Sequence, residues 1–264
     1  MNKKQKDKLD RILKDKSSGS SEILLNLNKF ILSNIDKKSF LNDSIIRVKK
    51  RLSHFAVVKN YLSDVEKLIK HGNHKKLVEY LEQTGLTKNK TAISIFNKLY
   101  KKVPQAKTIL TFSRSGTIIN VLKLWKEKNS NLNVIISESR PEFEGRLMAK
   151  ELLKLGFKIN LITDAMTGMF VKNVDAVIIG ADAVLRNKNV INKTGSLSLA
   201  LLCKHYKKPF YVLTSRSKIL ISNNYKLIAE DPEKVWKFNH PKLKTINIPF
   251  EEIDKKLITG IISD

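Results

Sequence analysis

Five small polar groups between residues 113 and 193 carry the side-chain types a binding or catalytic site uses, and each follows a short apolar run. Ser113-Arg114-Ser115 follows residues 108–111, and Glu138-Ser139-Arg140-Pro141 follows 133–137. Asp164 follows 158–163, Gly180-Ala181-Asp182 closes 175–180, and Asn192-Lys193 closes 190–193. Ser115 and Thr117 precede a helix that starts near Ile118. There, hydroxyls and backbone N–H groups suit a phosphate, with Arg114 adding charge. An ordinary N-cap uses the same residues, and no full Gly-rich fingerprint decides between the two. Lys193, next to Thr194-Gly195-Ser196, offers phosphate a point charge. Arg140 and Arg146 suit an anion, or pair with Glu138, because alternating charges at a strand end are costly to bury unpaired. Asp164 and Asp182 suit general acid–base work if one has a raised pKa, or cap the helices that follow them.

Other reactive side chains point to bland roles. His71 and His74 flank Gly72-Asn73 with no third metal ligand nearby and read as solvated loop residues, so no metal is expected. Cys203 stands alone among Leu201, Leu202 and alanines and reads as a core thiol. A single cysteine allows no intrachain disulfide and fits a reducing cytoplasm.

The apolar runs before these groups are strand-length and alternate with helix-length amphipathic segments. That is the pattern of βαβ units, a parallel sheet covered on both faces and ligands at the carboxyl ends of its strands. Residues 209–213 read as a further buried strand, 246–250 as a short segment and 257–262 as an apolar tail. The first hundred residues differ. Their apolar positions recur at helical spacing, with Ile23, Leu27, Phe30 and Ile31 on one face, Ile45 and Val48 on another, and Val57, Tyr61, Leu62 and Val65 on a third. Gly72 stops that third helix, Leu77, Tyr80 and Leu81 begin another, and residues 91–100 form a last one. The expected class is therefore α/β: an all-helical domain over residues 1–103 and a Rossmann-like parallel-sheet domain over 104–264. Pro104 disfavours helix at Val103 and marks the hinge.

Composition sets the outer bounds. The 264 residues carry a formal charge of +25, with 42 Lys against 8 Arg, and the excess is spread over both halves of the chain. A dedicated nucleic-acid reader concentrates charge and uses Arg on base edges, so a generally Lys-rich background competes with RNA or ribosome contact. No apolar run is long enough for a membrane span, and the basic N-terminus lacks the apolar core of a secretory signal.

Taken in order, several segments resemble one superfamily. They are Glu138-Ser139-Arg140-Pro141, Glu144-Gly145-Arg146, Asp164, Val174-Asp175, Gly180-Ala181-Asp182, Ile191-Asn192-Lys193-Thr194-Gly195, residues 208–212, and Phe250 with Leu257-Ile258-Thr259. The chain resembles the alpha, beta and delta regulatory subunits of translation initiation factor 2B, a superfamily that also holds isomerases of ribose 1,5-bisphosphate and methylthioribose 1-phosphate. The match spans roughly residues 107–264 and, more faintly, the helices. It implies a helical domain joined to a Rossmann-like one, a homo- or hetero-oligomer, no cofactor, and a phosphorylated sugar or nucleotide as ligand.

The isomerases use a cysteine after the first strand and the aspartate of Gly-Ala-Asp. By this resemblance the aspartate is Asp182, while the cysteine position is Ser113, a poor replacement without an adjacent base. Their Arg-Gly-Ala phosphate motif falls at Ser18-Gly19-Ser20, and their Arg-Pro-Thr segment near Ser53-His54-Phe55. Gly19, Ser115, Arg140, Asn192 and Lys193 are the expected ligand-binding residues. The expected function is a non-catalytic regulatory protein of an archaeon-like cytoplasm, with translation initiation factor 2 or a related protein as partner. The alternative is an aldose–ketose isomerase using Asp182 and Ser113.

Overall fold

A computed structural model describes residues 3–15, 19–52 and 55–264. Ser18 of the expected Ser18-Gly19-Ser20 motif, and Ser53 and His54 of the second segment, lie outside the described residues. Five helices open the chain: α1 Lys3–Lys14, α2 Ser20–Leu32, α3 Lys38–Leu52, α4 Ala56–Lys70 and α5 His74–Tyr100. Their apolar faces meet in one core of Leu9, Ile23, Leu27, Phe30, Val48, Val58, Leu62, Val65 and Leu81. A buried amide ties three of them together. Asn28 on α2 accepts a 2.9 Å bond from the Tyr61 hydroxyl and donates at 2.8 Å to the carbonyl of Leu81. Asn73 caps α5, accepting from the Lys76 N–H at 3.0 Å, so the expected stop at His71-Gly72 is where one helix ends and the next begins.

The two helices expected after it are one helix of 27 residues. Gly85 and the polar residues after it suggest a break. In the fold, Gly85 faces the Asn28 side chain, and packing outweighs the ~1 kcal/mol that glycine costs a helix interior. The far end of α5 enters a second core, where Ile95, Phe96 and Leu99 pack with Val121 and Trp125. One helix thus contributes to both cores.

The second core surrounds a six-stranded sheet. The main path runs β1 Thr108–Phe112, α6 Gly116–Lys128, β2 Asn133–Ser137, α7 Glu144–Lys154, β3 Lys158–Ile162, α8 Thr167–Val171 and β4 Ala176–Ile179. β5 Ala183–Val184, β6 Val190–Lys193, α9 Ser196–His205, β7 Phe210–Thr214, β8 Phe250–Ile253 and β9 Gly260–Ser263 complete it. The sheet order is β3-β2-β1-β4-β7-β9, and every pairing is parallel. The chain leaves β1 in one direction and returns to its other side as β4. The strand order therefore reverses between β1 and β4, which opens a crevice at their carboxyl ends.

Three expectations change here. Residues 190–193 belong to a separate antiparallel sheet ordered β5-β6-β8. The cause is the tight turn through Asn187, Lys188 and Asn189, with Lys188 at φ 72° and the Leu185 N–H on the Asn189 carbonyl at 2.8 Å. So short a link permits only an antiparallel hairpin. The short segment expected at 246–250 forms its strand later, as β8. The apolar tail supplies edge strand β9 of the main sheet, and no described helix is long and apolar enough to cross a membrane.

Candidate functional site

A cleft of about 960 Å³ lies between the helical bundle and the carboxyl ends of the sheet. Gly19, Ser113, Ser115, Asp182, Asn192 and Lys193 all line it, so residues up to 174 positions apart in the chain face one volume. Two glycines let its walls approach. At Gly180 a Cβ would lie 2.7 Å from the Ser115 hydroxyl oxygen, and at Gly195, with φ 110°, it would lie 2.6 Å from the Phe112 ring.

Ser113 leaves β1 with φ 60°, a left-handed conformation uncommon outside glycine, and is 6% exposed. Its N–H donates to the Ser139 hydroxyl at 2.8 Å. Among the described residues no side chain hydrogen-bonds the Ser113 hydroxyl. Asp182 leaves β4 with its N–H on the Ile191 carbonyl at 2.9 Å. Near it lies Lys218, buried, whose Nζ donates to the Ala181 carbonyl at 2.6 Å. Burial pulls the Lys218 ammonium below the ordinary lysine range, while the negative charge of Asp182 opposes that shift. Burial and the same carboxylate push the Tyr225 phenol upward. Residues 209–213 were legible as a strand, and Lys218 sits in Ser215-Arg216-Ser217-Lys218 at that strand's polar exit. The rule that exposed the other groups, extended by one strand, finds it.

Lys193 pairs with Glu144, Nζ to Oε1 2.7 Å, and lies over the Phe250 ring at 4.7 Å. Asn192 is buried and donates to the Ser196 hydroxyl at 2.9 Å, which in turn donates to the Lys193 carbonyl at 2.7 Å. These bonds fix β6 against the start of α9. Ser115 caps α6, accepting from the Ile118 N–H at 3.4 Å, and lines the cleft.

Arg140 is not brought to this cleft. Its Nη2 donates to the Val235 carbonyl at 2.9 Å, and its guanidinium lies over Phe143 at 4.9 Å, beside a smaller cavity of about 310 Å³. Arg114 lines the main cleft with its charge occupied: Nη1 bonds Glu22 of α2 at 2.8 Å and Nε bonds Glu151 of α7 at 2.6 Å. Those carboxylates raise its pKa further, and it fastens the helical bundle to the sheet. Arg146 pairs with Glu138, Nη2 to Oε2 2.5 Å.

Asp164 accepts from the N–H groups of Ser139 at 2.8 Å and Arg140 at 2.7 Å and from the Ser137 hydroxyl. It shapes the loop that bears Ser139 and takes no part in the cleft. Cys203 is buried and its thiol is pushed up to about 12 by burial. His74 Nε2 lies 3.4 Å from Asp36, and His71 Nδ1 2.6 Å from the Lys67 carbonyl. Among the described residues no three potential metal ligands gather.

A helical N-terminal region, a six-stranded parallel sheet and a cleft at its switch point define a Rossmann-like α/β protein of two layers of function: a pocket and the helices that roof it. Residues 12–264 match the profile of the Initiation factor 2 subunit family, and the chain belongs to that family. It is 29% identical over 235 residues to a translation initiation factor eIF-2B subunit 2-like protein of Pyrococcus abyssi, covering 86% of this chain and 82% of that one. It is 37% identical over 164 residues to the methylthioribose-1-phosphate isomerase of Bacillus pumilus, covering 58% of this chain and 46% of the isomerase. The crystal structure of the Pyrococcus horikoshii translation initiation factor eIF-2B superposes with a TM-score of 0.83 at 24% identity, covering 100% and 96% of the two chains. The 5-methylthioribose 1-phosphate isomerase of the same organism superposes at 0.79 with 19% identity, covering 98% and 82%. These likenesses agree on the fold and divide between two activities.

Proposed function

We propose that this chain is a non-catalytic regulatory protein of the initiation factor 2B type, which binds a phosphorylated sugar or nucleotide in the cleft and a protein partner outside it. The observation that carries this reading is Ser113. By the resemblance it stands where the isomerase branch carries a cysteine, and no described side chain hydrogen-bonds its hydroxyl. A hydroxyl with a pKa far above a thiol's ~8.5 transfers protons poorly without an adjacent base. Ser115, Lys193 and the N-terminal end of α2 at Gly19 supply donors for a phosphate. Arg140 supports the surrounding loop from outside the cleft. Translation initiation factor 2 or a related protein is the proposed partner, the setting is cytoplasmic, and the chain works as a homo- or hetero-oligomer.

A second reading rests on its own observation: Asp182 and the buried Lys218 stand together in the same cleft, an arrangement suited to proton transfer in an aldose–ketose isomerase. One assay separates the two. Parent protein is mixed with methylthioribose 1-phosphate or ribose 1,5-bisphosphate and ketose formation is followed by NMR. The regulatory reading expects no turnover but binding by calorimetry. Turnover that Asp182→Asn abolishes would establish the isomerase instead.

A further inference from the structure

Lys218 is 6% exposed, yet among the described residues no carboxylate comes within ion-pair distance of its Nζ. Its hydrogen-bond partner is the neutral carbonyl of Ala181 at 2.6 Å, and Asp182 acts on its charge from farther off. A buried ammonium without an ion pair is costly. A hydroxyl or an amide would hold the same carbonyl at less cost, so the Ala181 contact does not account for a lysine here. Burial favours the neutral amine, the form in which a lysine acts as a nucleophile toward carbonyl compounds.

The surroundings hold this side chain in place. Arg216–Lys218 form a short 3-10 turn, closed by the Lys218 N–H on the Ser215 carbonyl at 3.0 Å. Asn60 of α4 reaches across and donates to the carbonyls of Ser217 at 2.9 Å and Ile219 at 3.1 Å. The Leu220 N–H donates to the Val184 carbonyl of β5 at 2.8 Å. The helical roof and the small sheet thus bracket Lys218 from both sides, and it lines the cleft together with Ser115, Asp182 and Lys193. A reactive group is useful only when its support fixes it in this way.

We propose that Lys218 captures a phosphorylated aldehyde as an imine, while Ser115 and Lys193 hold the phosphate. The proposal rests on the ligand part of the reading above and names the class of that ligand. In the step, the neutral amine adds to the carbonyl carbon and a proton moves from nitrogen to the carbonyl oxygen. That oxygen then leaves as water and a C=N bond remains. Asp182, in the same cleft, is placed to carry the protons. No oxidant or reductant takes part, and hydrolysis reverses the capture. Methylthioribose 1-phosphate has its C1 blocked by phosphate and would bind without this bond. Open-chain ribose 5-phosphate and pyridoxal phosphate both carry the two groups required.

The test is reductive trapping on the full chain. Parent protein at pH 7 is mixed with equimolar pyridoxal phosphate or ribose 5-phosphate and reduced with borohydride, which fixes any imine as a secondary amine. Intact mass counts the labels and tryptic peptides place them, since a labelled Lys218 is no longer cleaved after. An exposed lysine at its ordinary ~10.4 is neutral in roughly one molecule in 2,500 at this pH, so Lys218 should react ahead of the surface lysines. One label on Lys218 is expected, and comparing the two aldehydes tells a sugar phosphate from a pyridoxal-type ligand. Pyridoxal without its phosphate should label about tenfold less or weaker still, the effect of losing hydrogen bonds to a charged group. Lys218→Met should take no label, and should it fail to fold, the peptide map of the parent reads the same position directly. Labels scattered over surface lysines overturn the proposal, as does equal labelling by pyridoxal and pyridoxal phosphate. An unlabelled Lys218 in a protein that binds methylthioribose 1-phosphate by calorimetry overturns it and leaves the ligand reading standing. An unlabelled Lys218 with no binding of any of these phosphates overturns both.

Discussion

Lys193 and Glu144 form an ion pair, Nζ to Oε1 2.7 Å, in the wall of the cleft where a phosphate would need the lysine's charge. The ammonium is therefore already neutralised, and any anion must compete with a carboxylate for it. Lys193→Ala should weaken binding of methylthioribose 1-phosphate by about tenfold or more, the effect of a lost hydrogen bond to a charged group of ~1.5–3 kcal/mol. Glu144→Gln should act in the opposite direction and tighten it, because the freed ammonium no longer has to be surrendered. Calorimetry on the two variants decides the matter. Equal weakening by both would mean that the pair is structural and that phosphate sits elsewhere.

Cysteine chemistry offers a direct view of the Ser113 position. Cys203 has its thiol pushed up to about 12 by burial, so iodoacetamide at pH 8 should leave the native parent unlabelled and label it only in denaturant. Ser113→Cys should add one label in the native state, since residue 113 lines the cleft, and a ligand in the cleft should protect it. Intact mass reads both. A native parent that labels readily would show that the α9 packing around Cys203 opens.

Lys218 couples stability to pH in a direction opposite to most lysines. Its ammonium is disfavoured by burial, so in the pH interval between its lowered native pKa and the ordinary lysine value the unfolded chain binds more protons than the folded one. Its penalty is fully present below that interval and fades as pH rises through it. Lys218→Met should therefore gain most, relative to the parent, near neutral pH, and the gap should narrow at alkaline pH. Urea melts at pH 7 and 9 test this. A difference independent of pH would mean that the Ala181 carbonyl and Asp182 compensate the charge completely.

What could be read in advance divides along sequence distance. The central strands of the main sheet were legible because they are short apolar runs buried on both faces, as at Val134–Ile136 and Val177–Ile179, whereas edge strand β9, only partly buried, read as an apolar tail. The β5-β6-β8 sheet was not, because β5 is two residues long and has no periodicity to show. Arg114 looked available to an anion because its partners, Glu22 and Glu151, lie 92 and 37 residues away. Glu138 and Arg146, eight residues apart, could be weighed as a pair from the start. That Gly19 faces the same cleft as Asp182 followed only from resemblance, since nothing local in Ser20–Leu32 points to the sheet.

The junction between helices and sheet gives a truncation test. Pro104 proposes a division at residues 103 and 104, yet Ile95, Phe96 and Leu99 pack into the sheet core against Val121 and Trp125. Burial of three such side chains contributes ~1.5–3 kcal/mol each, a large part of the ~5–15 kcal/mol that holds a domain folded. A fragment of residues 104–264 should be poorly soluble or melt well below one of residues 91–264. Equal melting temperatures by calorimetry would place the functional boundary at Pro104 after all.

Asp164 separates a structural carboxylate from a catalytic one. Its two oxygens accept from the backbone N–H groups of Ser139 and Arg140 and from the Ser137 hydroxyl, and the Ser139 hydroxyl in turn holds the N–H of Ser113. Removing the carboxylate leaves two loop N–H groups unpartnered, at ~1–3 kcal/mol for each that is buried. Asp164→Ala should lower stability by about 1–3 kcal/mol on that basis, because Ser139 is buried and Arg140 is exposed, and ligand affinity should fall with it because Ser113 loses its support. Asp164→Asn keeps one acceptor oxygen and should recover part of both. A catalytic aspartate would behave otherwise, with stability untouched and any turnover lost equally in the two variants. Thermal melts beside the NMR turnover assay distinguish these patterns, and unchanged melting in Asp164→Ala would rule out the supporting role.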